Sequence, residues 1–512
     1  MPAIVLHFIM AELRSLAVRT VLLVLPLAAM LASGGPLLAA DELPDIGSPA
    51  NAMLPKSEEA RIGRAIMREL RNRGSVVTDP LINEYIEAVG HRLVAHANEG
   101  EQSFEFFVVE DQSINAFALP GGFIGVHTGL IEATESESEL AGVLAHEIAH
   151  VTQRHIARSI YNNSRANIIT LATMLGAILV GMAADGGSDA TQGAIMGAQG
   201  MMAQNRINFT RRNEYEADRV GVATMAAAGF DPQGMPDFFA TIGRRAGPFA
   251  SSVPEFLRTH PVSSNRIAET RSRAASLPVA EVEEMTGYGL AKARIIAQRR
   301  TSPGNALTYF RESAPPGDAA LYGEALVLLR MDRPAEAQRI FEQLIDSNQD
   351  VIAYHIGLAE AQLANDNEMA ALSTYANARG LFPRNVPLVI SYARTLLQLD
   401  RGTMAHDMLL DLLNNTPPTP EQVRLIAQAA VAAGETAEAH YYLSEYNIMI
   451  GDLVRAVGFL SRALELPETE PIQRARFEAR IDLIKEFLSE EQLREVARNE
   501  PRNYPGREPG AG

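Results

Sequence analysis

No cysteine occurs in this 512-residue chain. Disulfides and thiolate metal sites are thereby excluded, so the fold must rest on its apolar core and any metal must be held by nitrogen and oxygen donors. A basic excess is missing too. The formal charge of −17 speaks against general nucleic-acid binding, which needs a positive face. Long apolar runs are also scarce. Val21–Ala32 has twelve residues, short for spanning about 30 Å of hydrocarbon. Arg14 and Arg19 precede it, Ser33-Gly-Gly-Pro36 breaks it, and Leu38-Ala39-Ala40 offers small residues for cleavage. That pattern is an export signal, with Met10 as an alternative start and an uncleaved anchor as the competing reading. Ile168–Ala184 carries no charge over seventeen residues, but Thr170, Thr173, Gly176 and Gly181 dilute it. With the Gly- and Met-rich stretch to Met202, it reads as a buried or membrane-touching helix rather than a span. Peripheral membrane contact through 168–202 is left open.

What is present is chemically sharper. His146-Glu147-Ile148-Ala149-His150 spells H-E-x-x-H. A helix turns about 100° per residue, so histidines four apart share one face and can meet one metal ion. Glu147 projects from the same turn as a general base rather than a ligand. Leu140, Ala141, Val143, Leu144, Ala145, Ile148 and Val151 surround the motif. A helix so apolar is buried, and a buried helix with two histidines and a glutamate needs a reason.

A catalytic zinc commonly takes three protein ligands and keeps one open position. Asn213-Glu214-Tyr215-Glu216-Ala217-Asp218 opens a second helix. Glu214 and Asp218 share a face, whereas Glu216 points about 200° away from Glu214. Glu214 is the candidate third ligand and Asp218 is placed to orient a ligating histidine. Without the H-E-x-x-H helix the same residues would be an ordinary acidic first turn. His155, five after His150, lies about 140° round a continuous helix and is expected not to reach the ion. Just upstream of the motif, Asn115-Ala-Phe-Ala-Leu-Pro-Gly-Gly-Phe-Ile-Gly-Val-His127 reads as a hairpin about a Pro-Gly-Gly turn. Its strand at Asn115, Ala116, Phe117 and Ala118 could pair with an extended peptide through backbone bonds, or serve only the fold.

The second half has a period. Ala337, Ala371, Ala405 and Ala439 recur every 34 residues, as do Pro383 and Pro417. That is the spacing of tetratricopeptide helix pairs, which stack and leave a concave face for partners. About four repeats are expected, with the register blurring after residue 420, where Tyr446 and Gly451-Asp452 suggest another phase. The organisation expected is a signal peptide over 1–40, a linker over 41–54, a metallopeptidase domain over 55–275, a connecting segment over 276–300, repeats over 301–500 and a disordered tail over 501–512.

Together these residues resemble the periplasmic β-barrel assembly-enhancing proteases, gluzincin-type zinc metallopeptidases with a tetratricopeptide domain. The matching text is Asn115-Ala-Phe-Ala-Leu-Pro-Gly-Gly122, His146-Glu-Ile-Ala-His150 with Val151-Thr-Gln-Arg-His155, Glu214-x-x-x-Asp218, and Thr259-His260-Pro261 with Arg266. The resemblance implies an α+β zincin-like domain followed by an all-α repeat solenoid. It implies one Zn²⁺ per chain held by His146, His150 and Glu214, with Glu147 as general base. His260 would be a fourth, displaceable ligand that keeps the enzyme latent. By the same resemblance the clients are misassembled outer-membrane proteins in the periplasm and the partner is the β-barrel assembly machinery. The alternative is a mostly latent chaperone or scaffold in which the repeats carry the function.

Overall fold

The structure is a computed structural model that describes residues 54–97, 102–162, 211–245, 254–278, 286–299 and 302–499. The leader expected over 1–40, the linker apart from Leu54, the apolar stretch 168–202 and the tail after 500 lie outside the described residues.

The first half opens with helices α1 (Lys56–Asn72) and α2 (Pro80–Val94). Asp79 starts α2 by accepting from the N–H groups of Leu81 and Ile82, and Pro80 fills the first turn, where its missing N–H costs nothing. A three-stranded sheet follows: β1 (Glu105–Val109), β2 (Ala116–Leu119) and β3 (Phe123–His127), in the order β1-β3-β2. The hairpin is as its sequence suggests, with Ala116 opposite Val126 and Leu119 opposite Phe123. Gly121 and Gly122 both sit at φ 87° in its turn, and a Cβ on Gly122 would meet the Ser103 carbonyl oxygen at 2.0 Å. Pairing of β1 parallel to β3 makes the sheet mixed and leaves β2 at an edge.

After the short α3 (Thr128–Ala133) comes α4 (Glu137–Thr152), which carries the H-E-x-x-H residues. Ser136 caps it by accepting from Glu139 N–H, and Glu137 and Glu139 complement the positive end of the helix. Every residue of α4 except Val151 is buried, as its apolar surround requires. Helices α5 (His155–Asn162), α6 (Arg211–Ala227), α7 (Gly234–Arg245), α8 (Glu255–Thr259) and α9 (Ser264–Ala275) complete this half. Closeness of α4 and α6 depends on Gly221, whose added Cβ would stand 3.2 Å from the Ala145 backbone. One apolar core joins α2, the sheet, α4, α6 and α7 through Ile86, Val89, Ile124, Leu144, Val222 and Phe239.

Helix α10 (Thr286–Arg299) occupies the segment expected to be a connection. Tyr288, Ala291 and Ile295 belong to the peptidase-side core, while Leu290, Ala293 and Ile296 belong to the core of the repeats. Beyond the short α11 (Pro303–Thr308), paired helices run α12 (Asp318–Arg330), α13 (Pro334–Ser347), α14 (Ile352–Ala364), α15 (Glu368–Leu381), α16 (Val386–Gln398), α17 (Gly402–Leu413), α18 (Pro420–Ala432) and α19 (Thr436–Met449). First helices start at 318, 352, 386 and 420, so the period of 34 holds past 420 rather than blurring there. The turn inside each pair repeats as well: Asp332, Asp366 and Asp400 lie at φ 56–57°, and Gly434 takes the fourth equivalent place. Aspartate tolerates this left-handed region better than most residues. The periodic alanines at 337, 371, 405 and 439 are all buried between paired helices. Residues Gly451-Asp452 form the turn before α20 (Leu453–Glu465), where Asp452 caps the helix, and α21 (Pro471–Lys485) and α22 (Glu490–Asn499) close the array.

The repeats meet the first half through charged contacts. Arg71 bonds Glu105 at 2.6 Å and Glu421 at 2.8 Å, Arg294 bonds Asp79 at 2.6 Å, and Arg394 reaches the Thr78 carbonyl at 3.2 Å. Asp79 thus caps α2 and anchors α10 at once.

Candidate metal centre

Local helix geometry brings His146 and His150 together, with their Nε2 atoms 3.0 Å apart. Packing of α6 on α4 adds Glu214, whose oxygens lie 3.5 Å from each of those nitrogens. The residue that ends α8 adds His260, with Nδ1 at 3.3 Å from His146 Nε2 and from both Glu214 oxygens. Ligand atoms of all four residues lie within 4.8 Å of one another. Donors bound at about 2.0–2.1 Å around a tetrahedral ion stand about 3.3–3.4 Å apart. The separations here bracket that value, and the set of three imidazoles and a carboxylate suits a borderline divalent ion. All four residues are buried. The three ligands expected from sequence therefore converge, and His260 stands with them.

Around this group the remaining polar residues fall into place. Asp218 Oδ1 is 3.0 Å from His146 Nδ1, on the side away from the donor cluster. Arg266, on α9, forks onto both Asp218 oxygens at 2.7 Å, reaches Glu214 at 2.8 Å and bonds the Pro261 carbonyl at 2.9 Å. This arginine belongs to the sequence pattern, yet its role could not be read there, because its partners Asp218 and Glu214 lie 48 and 52 residues earlier in the chain. Phe256 stacks on His260 with ring centres 4.9 Å apart.

His155 departs from its sequence expectation in geometry. The reading of 140° assumed a continuous helix, but α4 ends at Thr152 and Arg154 adopts φ 51°. The chain turns back there, and His155 Nδ1 meets His150 Nδ1 at 2.8 Å. Its Nε2 lies 3.4 Å from Glu216, which Arg158 also holds at 3.1 Å. Glu216 points away from Glu214 as expected, and what it points at is this second histidine.

The electrostatics follow from burial among charges. Burial opposes a proton on His146, but Asp218 and then Glu214 more than offset it and push its pKa up to about 9. Burial and the neighbouring His146 drive His150 well below its usual value. Burial alone would raise Glu214, yet His260 and His146 hold it well below the carboxylate range. Glu147 goes the other way: burial raises it, against the pull of His260 and His146. Among the described residues both buried Glu147 oxygens lack a hydrogen bond of good geometry, and His260 Nε2 is 3.5 Å from Oε1. A buried carboxylate left in that state normally has a function. The backbone of Ala118, on the edge strand β2, is close enough to lower its pKa.

Comparison with known proteins agrees with this geometry. Residues 80–274 match the model of peptidase family M48. A Vibrio cholerae relative that carries the β-barrel assembly-enhancing protease name is 37% identical over 458 residues, covering 88% of this chain and 94% of its own. The β-barrel assembly-enhancing protease of Escherichia coli K12 is 33% identical over 456 residues, covering 88% and 92%. The mitochondrial metalloendopeptidase OMA1 of Schizosaccharomyces pombe is 30% identical over 209 residues, 40% of this chain and 55% of its own.

Proposed function

The chain belongs to the β-barrel assembly-enhancing proteases of peptidase family M48, and from that premise we propose that it is a periplasmic zinc endopeptidase that degrades misfolded or stalled outer-membrane proteins. His146, His150 and Glu214 hold one Zn²⁺, which when bound supplies Lewis acidity. Glu147 accepts a proton from the attacking water and returns it to the leaving amine. The observation that carries this role is its position: both oxygens are buried, and Oε1 stands 3.5 Å from His260 Nε2 at the edge of the donor cluster. A raised pKa also suits a carboxylate that must hold a proton between those steps. Asp218 Oδ1, 3.0 Å from His146 Nδ1, pairs with that ring and leaves Nε2 facing the ion.

Substrate enters as an extended strand along β2. Among the described residues, 116–119 form an edge strand close to Glu147, and backbone pairing there selects unfolded chains over folded ones. Asn115 stands at the mouth of this strand, with its carbonyl already bound by His127 N–H at 3.0 Å.

His260 is a latch. With its Nδ1 among the other donors it closes a four-donor shell, and hydrolysis requires that fourth place to be free. Latency of this kind accommodates the scaffold reading as a resting state of the enzyme rather than a rival to it. The repeats bind clients or partners on their concave face, the β-barrel assembly machinery among them by kinship with the relatives named for it. No helix of the described residues is long and apolar enough to cross a membrane.

The test is Glu147→Gln with zinc content and casein cleavage measured on the same preparation. Zinc is expected to stay while cleavage disappears. Unchanged cleavage removes Glu147 from the mechanism.

A further inference from the structure

One helix serves both histidines of the H-E-x-x-H motif. From α6, Glu214 joins the donor cluster and Asp218 approaches His146 Nδ1 directly at 3.0 Å. Glu216, between them in sequence, faces His150 only through His155: 3.4 Å from Glu216 Oε2 to His155 Nε2, then 2.8 Å from His155 Nδ1 to His150 Nδ1. An imidazole that binds an ion through Nε2 carries its proton on Nδ1, and that proton needs an acceptor. These contacts then give one consistent set of directions. His150 Nδ1–H donates to His155 Nδ1, so His155 must carry its own proton on Nε2 and donate it to Glu216. Arg158 Nη1, 3.1 Å away, fixes the far end.

The bend that permits this is itself anchored. Arg154 sits in the left-handed region at φ 51°, which residues with a side chain rarely adopt. Its guanidinium bonds Glu59 at 2.9 Å and the Leu54 carbonyl at 2.8 Å. A helix from the start of the domain thereby holds the turn that sends His155 back to the motif.

We propose that His155 and Glu216 are positioning residues that set the tautomer and ring orientation of His150 for the metal. They do for the second histidine, by a two-member relay, what Asp218 does for the first by direct contact. The two histidines are therefore held differently: His146 faces a carboxylate, whereas His150 faces a neutral ring with the carboxylate one residue removed.

This rests on the metal-centre reading, and the experiment separates the two. Zinc affinity is measured on the full chain by competition with a chromogenic chelator, and zinc loss is timed in excess chelator. Glu216→Gln keeps the shape and removes the charge at a partly exposed position. It is expected to weaken zinc about 10-fold, with a faster loss, at the low end of the 10–100-fold cost of such outer contacts. His155→Asn is expected to lose at least as much, and the double variant no more than His155→Asn alone, because the members act as a unit. The melting temperature of the metal-free chain serves as the fold control for Glu216→Gln. Equal zinc affinity and off-rate in wild type and Glu216→Gln, or fully additive losses in the double variant, overturns the relay. Failure of the wild-type chain to bind zinc at all overturns the metal centre instead.

Discussion

Removal of Arg266 is expected to cost more stability than removal of any exposed ion pair in the molecule. Its side chain is 3% exposed and bonds Asp218, Glu214 and the Pro261 carbonyl, while Asp218 and Glu214 are themselves 4% and 2% exposed. Arg266→Ala strips two buried carboxylates of the guanidinium that bonds both and leaves them sharing the His146 ring, a loss of about 3–5 kcal/mol for a broken buried pair. At about 2–4 °C per kcal/mol for a domain of this size, the melting temperature of the metal-free chain falls by about 6–20 °C. With zinc added the loss is smaller, because a divalent ion replaces the arginine as partner for Glu214 but does nothing for Asp218. Arg266→Lys keeps the charge and loses the fork onto Asp218, so its melting temperature lies between the two. Scanning calorimetry on the three chains, with and without zinc, is the assay. A metal-free Arg266→Ala chain that melts within 2 °C of wild type refutes the reasoning, as does an equal loss with and without the ion.

The remaining predictions concern the latch, the third ligand and the junction with the repeats. His260→Ala is expected to raise casein cleavage with zinc still bound, since three donors remain; equal or lower activity in a folded chain counts against the latch. Glu214→Gln is expected to lose most of its zinc by metal analysis, whereas full occupancy sinks its assignment as a ligand. Glu87, on α2, is pushed up to about 7 by burial first and then by Glu105, Glu421 and Glu84. An acid raised on folding holds a proton that the unfolded chain has released, so stability falls as pH rises from about 4.5 to 7 and stays reduced above that. Glu87→Gln is therefore expected to raise the melting temperature at pH 8 and leave it near wild type at pH 4.5; the same shift at both pH values contradicts this.

How much of the site was legible depends on the distance over which each contact acts. His146 and His150 lie one helical turn apart, and the turn is a local property that spacing reveals. Glu214 could be proposed because an acidic residue on a later helix was wanted, yet its approach to the motif rests on tertiary packing, with Gly221 leaving room for the Ala145 backbone. His155 was rightly kept off the ion as a hydrogen-bonding residue, but its angle to His150 was misjudged because no glycine or proline marks the break after Thr152; an arginine at φ 51° makes it, held by Glu59 from almost a hundred residues earlier. The register of the repeats had a cleaner signal than Tyr446 suggested: Gly434 continues the series of left-handed aspartates, while Gly451-Asp452 belongs to the next turn and cap.

From its sequence alone this protein was readable wherever a short period carries the information: the face shared by His146 and His150, the hairpin about Pro120-Gly-Gly122, and the 34-residue return of buried alanines. Tertiary structure alone decided the mixed strand order, the meeting of Glu214 and His260 with the motif, the fork of Arg266 and the return of His155. The reason is physical. Local periodicity follows from backbone geometry that every residue obeys, whereas a buried charge network forms only where packing has excluded water and drawn distant segments to hydrogen-bond distance.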